Sequence, residues 1–505
     1  MDAPAQMGGV PRASGEPRGR RAHPRDHGER DVADRPWGPD RLTGRVQGSD
    51  LRELPAAPDA VGQPDAGCAH GRGDGADGPG YDRRDPCPYP QGAAAVTAIL
   101  FRSARLVDGL ADEPVDGIDL LVLDGRIAEI GPRLAPAPSG DAVVVDLGGL
   151  TLMPGLIDAH VHPTATEIIE DFQRPMPTTL RAHHAGVRLA RMLRRGFTTV
   201  RDAGGADAGL RMATEQGLID GPRLLVAGKA LSQTGGHGDD RQVTDGDAPA
   251  GAYPGEFARI ADGVEGVRLA AREELRRGAD HIKICASGGV MSATDPVDMT
   301  QYADDEMRAI VAETASRRTY VMAHAYGPDA IVRAVRCGIR SIEHANLVDE
   351  TAAAEVAAHD AWVVPTMVAY EGPEHLGRQA GVDEWRLAKN DEVRRAGLGA
   401  FAVLRRAGAR IGFGTDLLGA LEQMQPREFA IRAEVESAAD IVRSATSVNA
   451  DLIGRPGLGR LVVGATADLI VVDGDPLADV GVLARPEESL RMVVTEGRVR
   501  VDRMS

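Results

Sequence analysis

Lysine is almost missing from this chain. Only Lys229, Lys283 and Lys389 occur among 58 basic residues, and the rest are arginine. Arginine serves wherever a generic positive charge will do, so a lysine on an apolar strand calls for a particular reason. Cysteine is scarce as well. Cys68, Cys87, Cys285 and Cys337 lie far apart with no CxxC spacing, which argues against a disulfide framework and for a reducing compartment, the cytoplasm. No run of about 18 apolar residues is present, so no membrane-spanning helix is expected. No charged start followed by an apolar stretch opens the chain, so no Sec-type leader is expected. The formal net charge is −17. Nothing basic would offset phosphate repulsion, which argues against nucleic acid and anionic membrane as partners. Aromatics make up only 3% of residues, yet 43% are apolar, mostly Ala, Val and Leu. That is enough for a core of strands and small-residue helices, and 505 residues allow one large domain or two.

Residues 1–95 hold no Ile, Phe, Lys or Asn and are dense in Gly, Pro, Arg and Asp. Without a period of 2 or 3.6, the segment cannot bury enough apolar surface to offset its ordering entropy. It reads as a disordered N-terminal extension, with the character of an over-extended gene start and a true product beginning near Val96. From there the pattern changes. Short strands in "AILFRSARLVDG", "IDLLVLDGRIAEIG" and "AVVVDLGGLTLMPG" have counterparts near the C-terminus in "ADLIVVDGDPL" and "LRMVVTEGRVRV". The two flanks, 96–152 and 451–505, are expected to pair into one small β-sandwich domain. Between them, 153–450 alternates strand and helix. Eight strand candidates stand at 155–162, 198–204, 222–228, 281–287, 320–325, 341–346, 362–367 and 410–416. Amphipathic stretches such as "TLRAHHAGVRLARMLRRG" and "DDEMRAIVAETASRR" separate them. The expected fold class is α/β, a (β/α)8 TIM barrel carrying the sandwich.

The first barrel strand reads "LIDAHVHPT". His160 and His162 are two apart, so both imidazoles point to one face of a strand. Taken alone, this HxH pair has an ordinary reading as surface or structural histidines. Four further residues change that. Lys283 in "HIKICAS", His324 in "YVMAHAYG", His344 in "SIEHANL" and Asp416 in "RIGFGTDLL" each sit at or near the C-terminal end of a separate strand. Barrel active sites are built on that face. A lone strand-end Asp is often a helix cap and a lone buried His is often just hydrogen-bonded. Six such residues converging on one face point instead to a metal site.

These motifs resemble the amidohydrolase superfamily over essentially all of 97–505, in its pattern of HxH, Lys, His, His and Asp on strands one, four, five, six and eight. The resemblance implies that His160, His162 and Asp416 bind one divalent ion and His324 and His344 another, bridged by a carboxylated Lys283. The physical account of the lysine is direct. A protonated amine would repel cations, whereas burial beside two metals favours the neutral amine. That amine adds carbon dioxide to give a carbamate, an anion with two oxygens. Zinc is the metal expected for such mixed ligands, and manganese or cobalt would fit too. The metals would share a hydroxide, since metal binding lowers the pKa of water towards about 7. Asp416 would act as ligand and as general acid/base, passing the proton to the leaving amine.

The bridging lysine separates this chain from the mononuclear deaminases and imidazolonepropionase-like members of the superfamily. "LSQTGGHGDDR" and "KICASGGVMSATDP" resemble the subgroup of metal-dependent Xaa-Pro and Xaa-Arg/Lys dipeptidases and ochratoxin-type amidases. That likeness implies cleavage of a dipeptide or N-acyl amino acid, a small-molecule substrate with a free carboxylate, by a homo-oligomer. His237, Arg241 and Tyr326 are the substrate-binding candidates, and an ordinary solvated arginine is the competing reading of Arg241. Alternatives are a hydrolase of the same fold acting on a cyclic amide, lactone or phosphotriester, and a non-catalytic scaffold. His183 and His184 read as solvent-facing, and His281, His359 and His375 match no ligand position. Glu343, next to His344, reads as a residue of the opposite face that contacts a helix.

Overall fold

Parallel strands covered by helices on the outside and packed side chains on the inside lose their polar face, so they read as near-continuous apolar runs. The computed structural model has this arrangement. It describes residues 98–135, 142–167, 176–239, 241, 257–292, 295–376 and 381–504, all within the unit Cys87–Ser505. The stretch 1–95, expected to be disordered, lies outside the described residues. The barrel strands are Leu156–Val161, Phe197–Asp202, Arg223–Leu225, Ile282–Cys285, Val321–Ala325, Ser341–His344, Trp362–Val364 and Arg410–Ile411, one in each expected position. Every residue of the first, second, fourth, fifth and sixth strands is buried.

Two details differ from the sequence reading. The third strand is interrupted. Arg223–Leu225 pairs with the second strand, while a continuation, Ala230–Ser232, pairs with the fourth. Gly228 makes the break. It has φ +69, and a Cβ there would lie 2.4 Å from a Glu274 carboxylate oxygen. A further short strand, Ala258–Ile260, runs parallel to the continuation. The eighth strand pairs with the seventh only over Arg410–Ile411. Beyond it the chain turns to the first strand and closes the barrel. Ala159 N–H donates to the Phe413 carbonyl at 2.9 Å, and Asp416 N–H to the His160 carbonyl at 2.8 Å.

The helix Thr178–Arg194 shows how the outer layer is attached. Ala185, Leu189, Met192 and Leu193 form its buried stripe, and His183 and His184 are exposed, as the period of 3.6 requires. The two flanks meet in one eight-stranded sheet. Thr151–Pro154 pairs antiparallel with Leu469–Val472, which joins the N-terminal strands to the C-terminal ones. Alternation then serves two cores. Leu152, Leu469 and Val471 pack with Phe101 and Leu120 inside the sheet region. Met153, Ile470 and Val472 pack with Leu156 and Phe197 of the barrel.

One buried side chain reinforces the barrel closure. Asn449 donates to the carbonyls of Ile157 and Phe413, both at 2.7 Å, and accepts from Phe413 N–H at 3.1 Å. Asn449→Ala should leave Phe413 N–H without its partner and remove a donor from the Ile157 carbonyl, at a cost of about 3 kcal/mol, while the Phe413 carbonyl keeps Ala159 N–H. The expected reading is a Tm lower by roughly 3–4 °C in a thermal melt.

Candidate metal centre

The six ligands expected from the sequence come from five strands. His160 and His162 come from the first, Lys283 from the fourth, His324 from the fifth, His344 from the sixth and Asp416 from the end of the eighth. All four histidines and Lys283 are at most 4% exposed. Each imidazole is fixed through one ring nitrogen. His160 Nδ1 lies 2.7 Å from Glu343 Oε2, and His162 Nδ1 lies 3.0 Å from the Gly204 carbonyl. His324 Nε2 lies 3.0 Å from the Gly288 carbonyl, and His344 Nδ1 lies 2.8 Å from Thr366 Oγ1. Anchoring one nitrogen of an imidazole sets its tautomer and aims the other, which is how metal ligands are oriented.

The free nitrogens converge. His160 Nε2 and His162 Nε2 lie 3.3 and 3.1 Å from the same oxygen, Asp416 Oδ1. The ligand atoms of these three residues all fall within 4.8 Å of one another. Two nitrogens and a carboxylate oxygen at that spacing suit a divalent ion. Among the described residues this is the one group of three or more His, Cys, Asp or Glu placed in this way. His324 and His344 stand beside it, with ring centroids 4.7 Å apart and His344 5.1 Å from His160.

For His324, His344, Lys283 and Asp416 the electrostatics favour ligand forms over protonated ones. Burial, reinforced by neighbouring cationic groups, holds His324 and His344 well below the ordinary imidazole range. Burial also lowers the Lys283 amine from its usual value. For Asp416, burial acts the other way, but the adjacent His160 and His162 hold its carboxyl well below the usual range.

Two backbone distortions create this convergence. His344 has φ +76 and Asp416 has φ +51, both in the left-handed region that non-glycine residues rarely occupy. They also explain a correction. Glu343 is not a helix contact. Ser341 and Glu343 share the inner face of the sixth strand, and the left-handed turn at His344 brings its ring back to that side. Glu343 is fully buried and, besides His160, meets Arg201 Nη2 at 3.0 Å and the Ser341 hydroxyl. Arg201 also donates to Ser341 Oγ at 3.3 Å and to the Ala159 carbonyl at 2.5 Å. Sequence reading missed this network. Its one signal was a charged residue inside the apolar strand "FTTVRD", the same signal that singled out Lys283.

The structure brings His237 and Tyr326 to the centre. The His237 ring stacks on His324 at 4.2 Å, and Tyr326 stacks on His344 at 5.1 Å. Tyr370, also missed, donates its hydroxyl to that of Tyr326 at 3.0 Å. Arg241 is not simply solvated. It forms a two-point ion pair with Asp239, at 2.7 and 2.6 Å. His281 lies away from this cluster, bonded to the Asp202 carbonyl at 2.9 Å, and His359 ends an outer helix. Nothing is described of the His375 side chain.

A closed barrel with inward histidines and an aspartate at its C-terminal rim defines a metal-dependent hydrolase. The amidohydrolase family model matches residues 151–500, and the chain belongs to that family. Ochratoxinase of Aspergillus niger is 34% identical over 402 residues, 74% of this chain and 81% of its own. A crystal structure of an amidohydrolase is 47% identical with a TM-score of 0.79, covering 81% of this chain and all of that one, 100%. A prolidase complexed with N-methylphosphonate-L-proline is 45% identical with a TM-score of 0.79, at the same coverage of 81% and 100%. The chain is thus related to ochratoxinase and to Xaa-Pro dipeptidase-like members, and it is a metal-dependent enzyme acting on carbon–nitrogen bonds.

Because Glu343 both aims His160 and neutralises Arg201, Glu343→Gln should have two effects. Affinity for a divalent ion at His160, His162 and Asp416 should fall roughly 10- to 100-fold in chelator competition. Stability should fall by about 3–5 kcal/mol, because Arg201 is left buried without its counter-charge.

Proposed function

We propose that this enzyme hydrolyses the amide bond of a dipeptide or N-acyl amino acid, and that it holds two divalent ions, zinc in the first instance. The observation that carries the substrate reading is His237. Its Nδ1 is engaged by Ser292 Oγ at 3.0 Å, which leaves Nε2 available beside the His324–His344 pair. A hydrogen-bond donor fixed next to the reacting centre suits the free carboxylate of an amino-acid leaving group. The 45% identical prolidase complexed with N-methylphosphonate-L-proline supports the same substrate class.

Two imidazoles are too few to hold a second ion, so a further donor is needed between the two sets of ligands. We read Lys283 as that donor. Its buried amine, held below the ordinary lysine range, is poised to add carbon dioxide and become a two-oxygen carbamate. When bound, the divalent ions supply an acidified water and polarise the scissile carbonyl. The side chains do the rest. Asp416 lies between the two histidine pairs, with Oδ1 against His160 and His162 and Oδ2 3.9 Å from His344 Nδ1. Its side chain is 21% exposed, so it can take a proton from the attacking water and deliver it to the leaving amine. The Tyr326 hydroxyl accepts from Tyr370, which leaves its own proton for the substrate. In this reading His237, Tyr326 and Arg241 are the contacts of the substrate carboxylate. No helix among the described residues is long and apolar enough to cross a membrane. Among the described residues, Cys285 and Cys337 are buried thiols outside any disulfide, in keeping with a reducing cytoplasm.

Metal analysis tests the two-ion centre. Protein prepared with bicarbonate should hold close to two divalent ions per chain, and Lys283→Met should keep the ion of His160, His162 and Asp416 while losing the other. An unchanged metal content in that variant would rule out the bridge. Asp416→Asn should lower kcat by roughly 10²–10⁴-fold while leaving most metal bound. A library of dipeptides and N-acyl amino acids, each paired with its C-terminal amide, tests the substrate. The free acids should be strongly preferred, and equal turnover of the amides would overturn the carboxylate assignment.

A further inference from the structure

The third lysine has a position that arginine could not fill. Lys389 stands on the long helix Glu384–Arg406. Its ammonium donates to three backbone carbonyls of the loop after the fourth strand: Gly289 at 3.1 Å, Ser292 at 3.1 Å and Asp295 at 2.7 Å. An ammonium has three donors on one atom, and here all three are used. Three carbonyls converging on a point suit a compact trivalent donor. A planar guanidinium spreads its donors along a fork and cannot match them. One turn earlier on the same helix, Arg386 Nε donates to the Met291 carbonyl at 2.7 Å. The carbonyl side of this loop is therefore gripped by one helix.

The opposite side of the loop carries the site. The buried Asp295 carboxylate accepts from Gly289 N–H at 2.8 Å and from Gln301 Nε2 at 3.3 Å, and lies 3.8 Å from His237 Nδ1. Gln301 Oε1 accepts from His237 N–H at 3.0 Å. Gly289 packs so closely under His237 that a Cβ would fall 2.0 Å from the ring. The imidazole is thus set between Gly289 and His324, with Ser292 on its Nδ1.

We propose that Lys389 is a positioning residue. It anchors Gly289 and Ser292 and so sets the His237 ring for the substrate carboxylate. It does not touch the substrate, because its three donors are spent on the loop. The proposal rests on the reading of His237 as the carboxylate contact.

The test compares full-length wild-type enzyme with Lys389→Met, Lys389→Arg, His237→Ala and the double variant Lys389→Met/His237→Ala. With a free-carboxylate substrate, Lys389→Met should raise KM by a factor of roughly 10 and leave kcat within about threefold. The C-terminal amide of the same substrate should show no such rise. Lys389→Arg should not restore KM, and the double variant should be little worse than His237→Ala alone. In Lys389→Ala, added n-propylammonium should lower KM again by refilling the three-carbonyl cradle. A fall in Tm or active fraction with KM unchanged would show a merely structural role and overturn the proposal, as would additive losses in the double variant. Hydrogen exchange over residues 285–292 is the readout independent of activity. Exchange there should quicken in Lys389→Met while that of 321–325 stays as in wild type, and unchanged exchange overturns the anchoring. If wild-type enzyme hydrolyses no carboxylate substrate, the functional reading fails while the exchange result still decides the anchor.

Discussion

Beneath the candidate metal centre a carboxylate, a guanidinium and an imidazole are buried together, and the geometry above them depends on their mutual compensation. Glu343 sits between Arg201 and His160, on the sixth, second and first strands. Burial alone would push the Glu343 carboxyl up, yet Arg201 and His160 hold it well below the usual range. Arg201, itself fully buried, also holds the Ala159 carbonyl beside His160. Desolvating such ions costs several kcal/mol each, and the attraction between them offsets this only when every donor and acceptor is matched. A network of this kind is weak evidence for stability and good evidence for placement. It fixes which nitrogen of His160 faces Asp416.

Closure of the barrel and orientation of the ligands share the same two residues. The His160 carbonyl accepts Asp416 N–H, while the His160 ring lies against the Asp416 carboxylate. A slip of the eighth strand against the first would therefore break the ladder and separate the ligands in one step. Close packing enforces the register. A Cβ on Gly414 would come within 2.9 Å of His160 Cβ. Above this floor, three histidines and two tyrosines meet. His237, His324, His344, Tyr326 and Tyr370 form a run of ring contacts along one side of the cleft.

Much of this was legible in the sequence because parallel barrel strands declare themselves as short apolar runs separated by helical stretches. All eight positions were found that way, and scarcity singled out Lys283. The same reasoning passed over Arg201 and Lys389. Arginine is so common here that a buried one carries no compositional signal, and Lys389 lies on a helix whose charged neighbours look solvated. Glu343 was misassigned because strict alternation was carried to the last residue of its strand, His344, whose left-handed backbone breaks it. The break in the third strand at Gly228 was invisible for a related reason, since one glycine in an apolar run marks either a kink or nothing.

The sequence by itself determined the barrel, the flanking sheet strands and the residue types offered at the strand ends, since these follow from local periodicity and the chemistry of side chains. Only the tertiary structure decided which nitrogen of each histidine is free, which carboxylate lies beneath the first ligand and which loop carbonyls a lysine gathers. Those outcomes depend on left-handed residues at strand ends and on contacts between segments more than a hundred residues apart, such as His160 with Glu343. No local pattern encodes either, because both are settled by the free-energy cost of leaving a buried polar group without its partner.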